Sequence, residues 1–152
     1  MSSNERTMEF AGDLSLQLLM TYRSLHYLFN KFLDNPELVQ HYQLLFMLTR
    51  MGGTATQVEL IHYLKAGEST TRASINVLEK KGYLTREKHN KHNRTNIVRM
   101  TEKAMLAMTD LRNALREVEL VAFRNLNEDS LFHLWTTLIT INGNIESVSH
   151  NH

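Results

Sequence analysis

The chain has 152 residues, 42% hydrophobic and 22% charged, with no cysteine and a net charge of only +1. That length holds one domain with a self-sufficient core, and the missing thiol excludes disulfides, thiolate metal ligands and a sulfur-based redox switch. No apolar run approaches the roughly 18 residues of a membrane span, and the opening MSSNERTMEF lacks the apolar core of a secretory signal, so no membrane partner and a cytoplasmic location are expected.

Leu14, Leu18, Tyr22, Leu25, Phe29 and Phe32 recur at spacings of four and three, which predicts a long amphipathic helix over about 10–33. Pro36 is expected in the first turn of a second helix, about 36–51, with Leu38, Tyr42, Leu45 and Leu48 on one side and Gly52-Gly53 as its stop. A short third helix follows Thr54-Ala55, with Val58, Ile61 and Leu64 turned inward. Gly67 breaks the chain, Ser69 or Thr70 is placed to cap a fourth helix with Ile75 and Leu78 inward, and Gly82 ends it. Two short helices joined by a tight glycine turn form a helix-turn-helix pattern.

After Gly82 the segments Tyr83–Arg86 and Asn96–Met100 are rich in strand formers, while Glu87 to Thr95 contains no apolar residue. This reads as a two-stranded hairpin with a charged tip, which needs to pack on the helices to be stable. Thr101 caps a fifth helix with Met105, Met108, Leu111, Leu115, Val118 and Ala122 as its stripe. Asn127 opens a last helix in which Leu131, Leu134, Leu138, Ile141 and Ile145 repeat, flanked by Phe132, Trp135 and Ile139. A stripe that wide is expected to bury surface against the first helix, a second copy of the chain, or both.

The charge is concentrated where this pattern lies. Residues 60–104 hold ten Lys or Arg against four acids, a net +6, while the remainder carries −5. A basic block of this kind is what a phosphate-binding surface requires, because each cation that neutralises a phosphate releases counterions. The fold class expected is therefore mainly α, a winged helix-turn-helix of about six helices plus a hairpin wing, in a single domain over 1–152. The DNA-binding lobe spans 37–100, with the recognition helix at about 69–81 and the wing at about 83–100. Residues 10–35 and 101–147 form dimerisation helices.

The stretch Ser69 to Met108 resembles the MarR family of transcriptional regulators. Its landmarks are Leu78-Glu79-Lys80-Lys81-Gly82 at the helix end, Asn93-Arg94 at the wing, and Met100-Thr101-Glu102-Lys103-Ala104 after the second strand. His92 stands where the family carries a wing aspartate that steadies the arginine, and Ala104 replaces a glycine. The resemblance implies a homodimer on palindromic double-stranded DNA, and small, often aromatic, effectors bound near the first, second and fifth helices. Tyr22, Arg23, His26 and Tyr42 are the candidates for that pocket, and Met20, Met47 and Met51 are further apolar residues available to line one.

A helix in the major groove presents exposed residues to base edges, here Ser69, Thr70, Thr71, Arg72, Ser74 and Asn76. Arg72 is suited to guanine and Asn76 to adenine, each contact being worth about 1–3 kcal/mol of discrimination. Lys80 and Lys81 suit phosphates. In the wing, Arg86, Lys88, His89, Lys91, His92 and Arg94 face the backbone, with Arg94 able to enter the minor groove. Leu14, Leu18, Leu131, Leu134, Trp135 and Leu138 are the dimer-interface candidates. Eight histidines invite a metal reading, but His89, His92, His150 and His152 combine with no carboxylates at ligand spacing, so no metal or other cofactor is expected. No phosphate loop, nucleophile elbow or paired acids suggest an enzyme. The other readings are a winged-helix module for protein or RNA contact, and a metal-responsive regulator.

Overall fold

A computed structural model describes residues 2–88 and 96–149. The chain divides into two compact units, Met1–Val118 and Glu119–His152. The elements run α1 (Ser3–Phe32), α2 (Tyr42–Arg50), β1 (Thr54–Thr56), α3 (Gln57–Leu64), α4 (Glu68–Lys80), β2 (Leu84–Lys88), β3 (Asn96–Met100), α5 (Glu102–Ala122) and α6 (Glu128–Ser149). The winged-helix expectation holds, with one addition: the sheet has three antiparallel strands in the order β1-β3-β2. Thr54 pairs with Arg99 and Thr56 with Ile97, while Leu84 pairs with Met100 and Lys88 with Asn96. The hairpin is thus anchored through β1, as its marginal stability alone requires.

The core of the first unit is formed by Leu38, Leu45, Leu48, Leu60, Ile75, Leu78, Leu84, Val98 and Leu111, all almost inaccessible to water. Several expected details change. Pro36 does not begin a helix: Asn35 Oδ1 accepts from the Glu37 amide and the Asn35 carbonyl accepts from Leu38, a local turn that competes with helix. Gln40 then takes a left-handed φ of 71°, and α2 starts only at Tyr42. Neither Ser69 nor Thr70 caps α4, whose N-cap is Gly67. In α3 the inward face is Gln57 and Leu60, and Val58 is 59% exposed. In α5 small residues, Ala104, Ala107 and Ala114, join Met108, Leu111 and Val118 on the buried side, leaving Met105 and Leu115 outside.

The helix-turn-helix corner is locally determined. Thr56 Oγ1 accepts from the Glu59 amide at 3.1 Å and Glu59 Oε2 from the Thr56 amide at 2.8 Å, a reciprocal cap that starts α3. Lys65 and Gly67, both at positive φ, turn the chain into α4. Gly82, at φ 84°, ends α4 as expected, with the Tyr83 amide bonding back to the Leu78 carbonyl. Thr101 and Asn127 cap α5 and α6 as expected, their side-chain oxygens accepting from the Ala104 and Ser130 amides. Among the described residues no helix is long and apolar enough to cross a membrane.

Candidate nucleic-acid interface

The thirteen residues of α4 sort by angle into two faces. Thr71, Ile75 and Leu78 are buried, whereas Ser69, Arg72, Ala73, Asn76 and Lys80 are exposed. At 3.6 residues per turn, those five fall within an arc of about 100° opposite the core. Thr71, expected among the exposed residues, is only 1% accessible, because it lies one turn before Ile75 on the inward side. Ser74 is half-buried and hydrogen-bonded to His41 Nδ1 at 3.1 Å. Ala73, missing from the expected contacts, lies in the middle of the exposed stripe. Its methyl is the kind of group that packs on a thymine methyl, and helical angle rather than residue chemistry is the signal that finds it.

The cations differ in what holds them. Arg72 Nε and Nη2 donate to Glu68 Oε1 at 2.9 and 2.7 Å, one turn earlier on the same helix. Both side chains are about half exposed or more, so this pair is worth about 0–1 kcal/mol and a base edge can displace it. Arg86 instead turns back onto α4, donating to both carboxylate oxygens of Glu79 at 2.7 and 3.1 Å. That hydrogen bonding holds the Glu79 carboxyl below its ordinary range. Arg86 therefore fixes β2 against α4. Arg99 is paired with Glu87, and Lys103 bonds the Lys81 carbonyl while lying 4.4 Å over the Tyr83 ring. Among the described residues Lys80, Lys81 and Lys88 are exposed and in no ion pair. His89, Lys91, His92 and Arg94 lie outside the described residues, as do His150 and His152.

The pocket candidates separate in the same way. Tyr22 and His26 line a cleft of about 220 Å³ walled by α1, the start of α2 and α4. Tyr42 is buried and is not part of that lining; its ring is tilted against Phe29 at 4.0 Å between centroids, and burial pushes its phenol up to about 12. Asn30 Nδ2 donates to His26 Nε2, which leaves the Nδ1–H to donate to Tyr42 Oη. Arg23 is exposed and forms no part of the cleft lining, nor does any residue of α5, Met20, Met47 or Met51. Among the dimer candidates, Leu14, Leu134 and Trp135 are exposed and Leu18, Leu131 and Leu138 half-buried. Among the described residues no group of three or more His, Asp or Glu is gathered for a metal ion.

Residues 38–95 match the MarR family, which bears out the resemblance drawn from the sequence. No curated protein matches the chain. Among solved structures it is similar to the organohalide-sensing regulator RdhR-CbdbA1625 with 2,4-dichlorophenol bound, at 17% identity, covering 100% of this chain and 90% of that one with a TM-score of 0.78. A MarR transcriptional regulator from Methanosarcina mazei is 22% identical over 92% of both chains with a TM-score of 0.75. A mutant MarR from E. coli in complex with operator DNA is 19% identical, covering 85% of this chain and 93% of that one with a TM-score of 0.73. At these identities the likeness is one of fold, and the chain has the fold of a MarR-family transcriptional regulator.

Proposed function

We propose that this chain, built on the MarR-family fold, is a homodimeric, DNA-binding transcriptional regulator acting in the cytoplasm and released from its operator by a small-molecule effector. The single observation that carries the reading is the exposed stripe Ser69-Arg72-Ala73-Asn76-Lys80 on the helix that follows the turn, bordered by Lys81 and by the strand bearing Lys88. Inserted in a major groove, that stripe brings a guanine-reading fork, an amide for adenine and a methyl for thymine to base edges, with the lysines on phosphates. Two such helices related by a two-fold axis read a pseudo-palindrome with half-sites about one helical turn apart.

The second copy is supported by α6, where Phe132, Trp135, Ile139 and Val148 are each more than half exposed. Apolar surface at that density on one helix favours burial against a partner. The relatives lend support of their own kind: one was solved with operator DNA and another with a chlorinated phenol. The test is selection of bound duplexes from a random pool by the purified protein. A palindromic consensus is the expected result. Enrichment of no sequence, or preference for RNA, would turn the reading toward a winged helix used for RNA or protein contact.

A further inference from the structure

Three elements meet around one hydroxyl group. Thr49 Oγ1, on α2, lies 3.6 Å from Met100 Sδ at the end of β3 and 3.6 Å from Met108 Sδ on α5. The same oxygen is 2.9 Å from the Leu45 carbonyl, one turn earlier on α2. A threonine hydroxyl has one hydrogen for these three acceptors, and thioether sulfur is a weak one. The Leu45 carbonyl also receives the Thr49 amide within the helix, so it keeps a partner when the hydroxyl turns away. Thr49 thus holds a spare donor beside two sulfurs.

The missing cysteine rules out a thiol switch, but eight thioethers remain. Their surroundings differ. Met20 and Met105 are 62% and 60% exposed, so an oxygen added to either sulfur enters water and changes little, whereas Met108 at 3% is shielded. Met100 is half-buried, which leaves it within reach of a small oxidant, and it sits at a junction. Its amide donates to the Gly53 carbonyl at 2.9 Å, and its backbone pairs with Leu84 of β2. A sulfoxide there is polar where the thioether is apolar, and its oxygen is costly to bury unless a donor meets it. Thr49 is placed to be that donor.

We propose that Met100 is a site of reversible oxidation by peroxide, with the Thr49 hydroxyl donating to the sulfoxide and the base of the β2-β3 hairpin loosened by the change. The sulfur lone pair attacks one oxygen of hydrogen peroxide. The S–O bond forms as the O–O bond breaks, sulfur gives two electrons to the peroxide, and the departing hydroxide takes the proton of the transferred oxygen and leaves as water. Methionine sulfoxide reductases return the thioether, one enzyme for each epimer. The consequence for DNA rests on the regulator reading: a loosened hairpin makes fewer contacts with phosphates.

The test exposes the full-length protein to hydrogen peroxide, locates sulfoxides by peptide mass spectrometry and melts each sample. Met20 and Met105 are expected to oxidise first without effect on melting. Met100 follows, with a drop of about 2–4 °C that the reductases reverse. Met100→Leu, which nearly keeps the volume, is expected to lose less than about 1 °C under the same treatment. Thr49→Val is expected to melt within about 2 °C of the parent before treatment and, once Met100 is oxidised, to fall about twice as far as the parent, because the sulfoxide oxygen is then unpaired. Should Met100→Leu fold poorly, the Thr49→Val comparison decides. A Met100 that stays reduced in the folded protein, a drop in Met100→Leu as large as the parent's, or equal drops in Thr49→Val and the parent would overturn the proposal. Anisotropy over a salt series with a random-sequence duplex supplies the DNA arm, in which oxidation of Met100 is expected to lower the slope of log affinity against log salt by about 0.9 or more. An unchanged slope refutes the effect on the hairpin. A reduced protein without DNA affinity refutes the regulator instead, and the melting arms still decide the oxidation site.

Discussion

The Tyr83 hydroxyl donates to Glu37 Oε2 at 2.7 Å, joining the residue that starts the wing to the turn that follows α1. Tyr83 is buried, its oxygen also accepts from Asn35 Nδ2, and the Lys103 ammonium lies over its ring. One side chain thus ties together the turn at 35–37, the entry to β2 and the start of α5. The Tyr83 hydrogen bond is also the main cause that holds the Glu37 carboxyl below its ordinary range.

Removing that oxygen with Tyr83→Phe leaves the ring and the cation above it in place, so the expected loss is a melting-temperature drop of about 2–4 °C. Because the Glu37 carboxyl is lowered in the folded state, its contribution is present above the ordinary carboxylate range and lost as pH falls through it. Thermal melts from pH 7 downward are expected to show a shallower acid decline in the variant than in the parent. An identical decline would show that the contact does not couple to folding.

Arg86 and Lys88 sit on the same strand but are expected to behave oppositely. Arg86→Ala breaks the bidentate pair with Glu79, costing about 1 kcal/mol of stability and loosening the wing base. Lys88→Ala is expected to leave stability unchanged and to reduce the slope of log affinity against log salt by about 0.9, one phosphate's share. Chemical denaturation and fluorescence anisotropy over a salt series measure the two effects. A stable Arg86→Ala protein would contradict the bracing role.

His41 supplies a pH signature near neutrality. Its imidazole is partly buried and hydrogen-bonded to Ser74, and burial, assisted by Lys81, lowers its pKa below the usual 6.5. The folded protein therefore resists protonation there, so stability is expected to be full above that value and to fall as pH drops below it. His41→Asn is expected to start lower at pH 7.5 and to decline less between about pH 7 and 5.5. Parallel melting curves would remove His41 from the acid response.

Most of the architecture is legible because it rests on local chemistry. The long apolar periodicities of α1 and α6, the caps Thr101 and Asn127 and the stop at Gly82 act within a few residues, and each lies where the pattern puts it. β1 is a three-residue strand whose only reason to be one is pairing with β3 more than forty residues later, a non-local bond that leaves no period in the sequence. Residue type misplaced Thr71: hydroxyls suggest exposure, but its spacing from Ile75 and Leu78 assigns it to the core side. The alanines of α5 escaped for the converse reason, since small residues let helices approach without marking a hydrophobic stripe. The pairing of Arg86 with Glu79 spans seven residues and two elements, so no local pattern marks it in the sequence.

Arg72 and Asn76 share one face of α4, so each is expected to govern its own position in the DNA. Glu68→Gln removes the partner that holds Arg72 in the unbound protein. Because an exposed pair contributes little, its loss is expected to change melting by less than about 1–2 °C while raising DNA affinity modestly, up to about threefold. Anisotropy titrations at fixed salt measure it, and a drop in affinity would mean that Glu68 itself contacts DNA.

The most direct measurement is to repeat the selection of duplexes from a random pool with Arg72→Ala and with Asn76→Ala beside the parent. The parent is expected to enrich a palindrome, and each variant is expected to lose its preference at one symmetry-related pair of positions, a relaxation of about 1–3 kcal/mol per half-site, while keeping the rest of the consensus. Variants that enrich the parent's sequence unchanged would show that the exposed stripe of α4 does not read DNA.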